Sequence, residues 1–191
     1  MEQLWADYVA ANPRFSRCTI RRARALAGLA VGIFVEEVEE GATLLERSIS
    51  LDPNLAVARY WCGWIKLYLR NGDAAIEQFQ IGIRMSPLDQ RISLAQHGMA
   101  MAHFLAGRYE EGSLWAKNAV QQTPNFVGAH RLMMACHAMA GRVEEARQDW
   151  AVAREIDPTQ RISTVIQRWH FRRPKDIQLL AEAYGIAGMP E

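Results

Sequence analysis

Four prolines cut the chain into nearly equal lengths: Pro53, Pro87, Pro124 and Pro158 stand 34, 37 and 34 residues apart. A period near 34 residues is the length of a repeated helical hairpin, a unit that buries its apolar face only by stacking on a neighbour. The expected fold class is therefore all-α, a solenoid of about four hairpins, an architecture built for binding more than for catalysis. With each proline at position 32 of a 34-residue frame, the predicted repeats are residues 22–55, 56–89, 93–126 and 127–160. A three-residue insertion, Gln90-Arg91-Ile92, precedes the third. Residues 1–21 form an N-terminal arm with a short helix, and residues 161–191 form capping helices of the same single domain.

Other columns of the frame agree with it. Position 20 reads Gly41, Ala75, Gly112, Ala146, and position 27 reads Ser48, Gly82, Ala119, Ala153. Small residues at both positions fit two helices that cross closely. Position 24 reads Leu45, Phe79, Ala116, Trp150, mostly bulky and on the same helix face as position 20. The phrases Gly107-Arg108-Tyr109-Glu110-Glu111 and Gly141-Arg142-Val143-Glu144-Glu145 place a left-handed glycine and then an acidic helix start. Asp52, Ser86, Thr123 and Asp157 precede the prolines, a spacing that predicts N-caps with proline opening the next helix. In repeat two, Asn71-Gly72-Asp73 predicts a longer first helix and a shorter turn.

These residues resemble the tetratricopeptide repeat family over about residues 22–160. The likeness rests mainly on second helices: Ala75-Ile76-Glu77-Gln78-Phe79 with Pro87, and Glu144-Glu145-Ala146 with Trp150, Ala153 and Asp157-Pro158. The first helices depart from the family pattern, whose usual Tyr at position 11 is replaced by Gly32, Lys66, His103 and His137. A narrower likeness runs through Ser86-Pro87-Leu88-Asp89, His103 to Tyr109, Phe171 to Asp176, and Ala187-Gly188-Met189-Pro190-Glu191. It is similar to the C-terminal repeat region of bacterial adenylate/guanylate cyclase-like signalling proteins. Only 21 residues precede repeat one, so no cyclase domain is expected here. The resemblance implies a right-handed superhelix and a regulatory lineage, without cyclase activity.

Composition and motifs exclude more than they assign. A net charge of +1 gives no overall field favouring nucleic acid or acidic lipid. The three cysteines, Cys18, Cys62 and Cys136, are too few and scattered for a disulfide framework, which with the lack of an export signal predicts a cytoplasmic protein. The apolar run Ala25 to Val35 is too short to cross a bilayer, which takes about 20 residues. No glycine-rich phosphate loop, nucleophile elbow or Cys-His phrase is present, so the chain is expected to be no enzyme and to need no cofactor. His130, His103 and His137 fall at helix-packing positions with no carboxylate at ligand spacing, which reads as core histidines and not a metal site. The acidic group Glu36, Glu37, Glu39 and Glu40 reads as a solvated helix start. The arginines near both ends lack the matched polar readers that base-by-base RNA recognition requires.

What remains is a groove. In this family the first helices line a concave face at positions 2, 5, 9 and 12. The residues there are Val57, Tyr60, Trp64 and Leu67, then Leu94, His97, Met101 and Phe104, then Gly128, Arg131, Ala135 and Ala138. This is an apolar and aromatic floor with Arg131 at one side, the composition of an interface core. The Lys and Asn clamp of chaperone-tail-binding members is absent at these positions. The expected ligand is a hydrophobic protein or peptide segment. The alternative is a groove filled by the chain's own termini, or by a second copy in a homodimer.

Overall fold

The computed structural model describes residues 38–169, 171 and 173–191. The N-terminal arm, the first helix of repeat one, the Ala25 to Val35 run and Cys18 lie outside the described residues.

All regular structure among the described residues is helical: α1 (Val38–Leu51), α2 (Ala56–Tyr68), α3 (Gly72–Met85), α4 (Ile92–Leu105), α5 (Tyr109–Gln122), α6 (Val127–Met139), α7 (Val143–Ile156), α8 (Ile162–Ile166) and α9 (Pro174–Ile186). Successive helices pack as hairpins, α2 on α3, α4 on α5 and α6 on α7, and each second helix packs on the next first helix. The first helices α2, α4 and α6 also touch one another in succession. That row therefore lies on the inside of the curve. None of these helices is long and apolar enough to cross a membrane.

Large side chains dock where the facing helix carries glycine. The Phe79 ring of α3 enters a slot between Gly63 of α2 and Gly98 of α4. A Cβ at Gly63 would stand 2.6 Å from Phe79 Cε1, and one at Gly98 would collide with Cζ of the same ring. Tyr60 lies across Gly82, where a Cβ would come within 2.5 Å of its Cε1, and its hydroxyl donates to the Gly82 carbonyl at 3.2 Å. Gly112 meets Cys136 Sγ in the same way, at 2.7 Å from a Cβ. Burying such a ring is worth about 1.5–3 kcal/mol, provided the facing backbone carries no side chain. α4 is buried on nearly every side, Ala95, His97, Met99 and Met101 included, so it is the axis of the core.

Two local expectations change. The prolines do not open helices. Asp52 opens a β-turn with Pro53 in its second place, closed by Leu55 N–H donating to Asp52 O at 3.1 Å. Asp52 Oδ1 accepts the Asn54 N–H at 3.2 Å, and Asp157 accepts that of Thr159 at 3.1 Å. Ser86, Thr123 and Asp157 are C-caps of α3, α5 and α7, and the next helices start only at Ile92, Val127 and Ile162. A residue before proline is driven out of the helical region, so each proline ends one helix instead of starting another.

The turn of repeat two also keeps the common length. Gly107 and Gly141 hold φ of 75° and 79°, and Arg70 occupies the equivalent place at φ 66°. A non-glycine there costs about 1 kcal/mol and needs compensation. Arg70 Nη1 donates to the Leu105 carbonyl at 3.2 Å, and Nη2 pairs with Asp176 at 3.5 Å. Asn71 then caps α3 by accepting the Ala74 N–H at 3.3 Å.

Candidate functional site: the concave face and its C-terminal strap

The inner face is not empty. After α8 the chain turns back across it towards α2. Trp169 stacks on Trp64 with centroids 6.1 Å apart and lies 6.0 Å from His97. Phe171 stacks on Trp169 at 5.3 Å and packs on Tyr68 at 5.4 Å. Such ring pairs contribute about 0.5–1.5 kcal/mol each beyond area burial. α9 then lies on α6, burying Leu180, Ala183 and Tyr184. Its first turn is fixed by the Asp176–Arg70 pair, with Asp176 only 5% exposed. The chain end returns to α8, where Ile162 N–H donates to the Pro190 carbonyl at 2.8 Å. Trp169 and Phe171 thus form a strap over the groove.

Beside the strap a cavity of about 250 Å³ stays open. α2 contributes Trp61, Trp64 and Tyr68, and α4 contributes Leu94 and His97. Phe126 at the end of repeat three and Gly128 and Arg131 of α6 follow, with Val165, Arg168 and Trp169 from the C-terminal segment. Arg131 Nη1 donates to Gln160 Oε1 at 2.7 Å, and Gln160 Nε2 donates to the Ala153 and Asp157 carbonyls at 3.0 Å. The buried hydroxyl of Tyr184 lies against Arg131 and Trp169.

His97 is 5% exposed, between Trp64 at 5.3 Å and Phe126 at 5.0 Å. Its ring leans on the Gly128 backbone without closing a well-aligned hydrogen bond. Burial first, and the Arg131 guanidinium second, push its pKa from 6.5 down to about 3. His97 is therefore neutral at physiological pH.

Of the residues expected to form the groove, Trp64, Leu94, His97 and Arg131 line this cavity, with Gly128. Val57, Tyr60, Leu67, Met101 and Phe104 are buried in the helix packing. Tyr60 turns to α3, and Phe104 packs on Tyr109 of α5 at 5.6 Å. Sequence reading missed Trp61, Tyr68, Phe126, Arg168 and Trp169. Trp61, Trp64 and Tyr68 follow i, i+3, i+7 spacing, a stripe legible on α2 had periodicity been weighed above the family frame.

The other described histidines, His103, His130 and His137, are separate. His130 Nε2 donates to the Pro124 carbonyl at 2.8 Å. His103 Nδ1 accepts from Arg108 Nε at 3.0 Å, and burial, then Arg108, hold its pKa below the ordinary value. His137 Nδ1 pairs with Asp149 Oδ2 at 2.7 Å, a carboxylate that α7 brings in. Among the described residues no three metal-ligating side chains converge. Burial raises the pKa of the Cys62 and Cys136 thiols, which makes both poor nucleophiles.

No family model matches the chain, and neither does any curated protein. Solved structures do match. YrrB, a TPR protein with an unusual peptide-binding site, superposes with a TM-score of 0.61 at 17% identity, over 95% of this chain and 91% of its own. The fold is that of the tetratricopeptide repeat. The same TPR arrangement superposes on PilW, a widely conserved type IV pilus biogenesis factor, with a TM-score of 0.71 at 14% identity over 96% of this chain and 78% of PilW. MamA from Desulfovibrio magneticus RS-1 gives 0.63 at 18% identity, covering 73% of this chain and 77% of its own. At such identities the likeness is one of fold.

The left-handed Arg70 ties the TPR core to α9, and so anchors the strap that leads into it, and this can be separated from its backbone role. Arg70→Gly suits φ 66° better but removes both side-chain contacts and strands the Asp176 carboxylate. We expect hydrogen exchange to quicken about tenfold or more across α9, residues 174–186, while α2 to α7 keep their protection. Unchanged protection of α9 would show that the pair does not hold the strap.

Proposed function

We propose that this chain is a non-catalytic protein-interaction scaffold that takes a partner segment along its inner face. The observation that supports it is the partly open cavity where three successive first helices present Trp61, Trp64, Leu94 and Arg131. Aromatic and Arg side chains are the types on which interface energy concentrates. The peptide-binding site of YrrB, on the same fold, supports the reading by analogy. The likeness to cyclase-type proteins suggests a regulatory, cytoplasmic setting, and retention of a nucleotide cyclase in pull-downs would support it. The strap competes for this surface, so partner capture should be limited by its release. Trp169→Ala/Phe171→Ala should raise retention of native binding proteins about tenfold, and Trp61→Ala should lower it. Identical retention by wild type and both variants would remove the inner face as the site.

A second reading has its own support. The stack of Trp169 on Trp64 and the tilted contact of Phe171 with Tyr68 make the strap an occupant already in place. The chain would then be a structural module that closes on itself. Light scattering of wild type and the strap variant separates the cases. Dimers formed only on strap removal favour self-association, and a monomeric variant that gains a partner favours the scaffold.

A further inference from the structure

The cavity beside the strap has one-sided polar chemistry. Arg131 and Arg168 border it, and no Asp or Glu lines it. Arg131 is bonded to a neutral acceptor, Gln160. Among the described residues neither guanidinium forms an ion pair. Asp157 feels both from farther off, but its carboxylate already accepts the Thr159 N–H and O–H. The rest of the wall is mostly aromatic, with Leu94, Gly128 and Val165 between the rings, and two nearly buried side chains in it, Trp64 and His97, hold ring nitrogens without a hydrogen-bond partner.

Those features select a ligand class. An aromatic cage by itself suits a cation, but two arginines repel one. A compact hydrophilic anion such as phosphate would lose its hydration among rings that return nothing for it. A planar ring carrying one carboxylate satisfies both halves. Its face stacks on the indoles, and its carboxylate takes the guanidinium fork. The volume of about 250 Å³ suits a molecule of one or two rings, below the usual range for drug-sized ligands of roughly 300–1,000 Å³. A longer peptide would meet the strap.

We propose that this cavity binds a small aromatic carboxylic acid, its ring against the wall made by Trp61, Trp64 and Trp169 and its carboxylate on Arg168 and Arg131. Because strap and inner helices both line the site, the bound acid pins the strap closed. The site does not depend on the partner reading, since it needs only the purified chain.

Titration calorimetry on the full chain tests it with phenylacetate, its neutral amide phenylacetamide, the cation phenethylamine and inorganic phosphate. Phenylacetate should bind saturably at one site and quench tryptophan fluorescence. Phenylacetamide should bind about tenfold more weakly, and phenethylamine and phosphate not at all. Arg168 is exposed, so Arg168→Gln should leave the melting temperature unchanged while weakening phenylacetate about tenfold, with Arg168→Lys in between. Equal affinity for acid and amide would overturn the proposal, as would tighter binding of phosphate, or no saturation by phenylacetate at about 10 mM. Binding of a peptide ending in Phe, with none of the free acid, would also overturn it and assign the cavity to a partner's terminus.

Discussion

Gly98→Ala is expected to destabilise the fold by about 2–3 kcal/mol, a loss of about 5–10 °C in melting temperature. In an exposed helix the same change would stabilise by about 1 kcal/mol, because alanine orders more readily than glycine. Here the new Cβ lands inside the Phe79 ring. The ring has nowhere to retreat, since Gly63 closes its other side and Phe79 has no exposed surface. The α3–α4 contact must open, or Phe79 must leave its rotamer. Thermal and urea melts of Gly98→Ala, two further single variants and one double variant decide the matter. Gly72→Ala, where a Cβ meets nothing within 4 Å, should be neutral or slightly stabilising. Phe79→Leu should cost stability alone yet restore much of the loss when combined with Gly98→Ala, because the pair is coupled through one slot. Simple additivity of the two substitutions would show that the slot is not what excludes a side chain at Gly98.

Acid should weaken the protein through His97. Unfolded, its imidazole takes a proton near 6.5; folded, burial among Trp64, Phe126 and Trp169 and the nearby Arg131 delay this to about 3. Below 6.5 the unfolded state therefore binds the extra proton. The stability from a neutral His97 is complete above 6.5 and is lost as pH falls towards 3, at about 1.4 kcal/mol per pH unit. At about pH 4.5 this amounts to roughly 2–3 kcal/mol. His103, also lowered, acts in the same direction, so the comparison must isolate one residue. His97→Phe keeps a ring in the aromatic pocket and cannot protonate. Urea melts near pH 7 and pH 4.5 should show the variant losing less stability than the wild type by that amount. Parallel losses would mean that His97 protonates without strain.

The repeat frame was legible because backbone demands recur. Gly107 and Gly141 are glycine where φ is positive, and the second-helix columns are small at Gly82 and Gly112, where Tyr60 and Cys136 press on them. Arg70 hid the same turn in repeat two, since its left-handed strain is offset by partners 35 and 106 residues onward, at Leu105 and Asp176. The prolines marked the period correctly but misled on function within it, ending helices where an N-cap reading expected starts. The lining of the cavity was half legible. Positions borrowed from the family frame found Trp64, Leu94, His97 and Arg131, but they also took Tyr60 and Phe104, whose rings serve the hairpins.

By itself the sequence determined the helical hairpins, their order and the close packing of their second helices, because periodicity, glycine and small-residue spacing are local physical demands on the backbone. Only the tertiary structure decided what covers the inner face. Trp169, Phe171 and Asp176 meet Trp64, Tyr68 and Arg70 across about a hundred residues of chain, and no local pattern encodes such a meeting. It depends on where α9 finds an unpaired apolar surface, which exists only once the repeats have stacked.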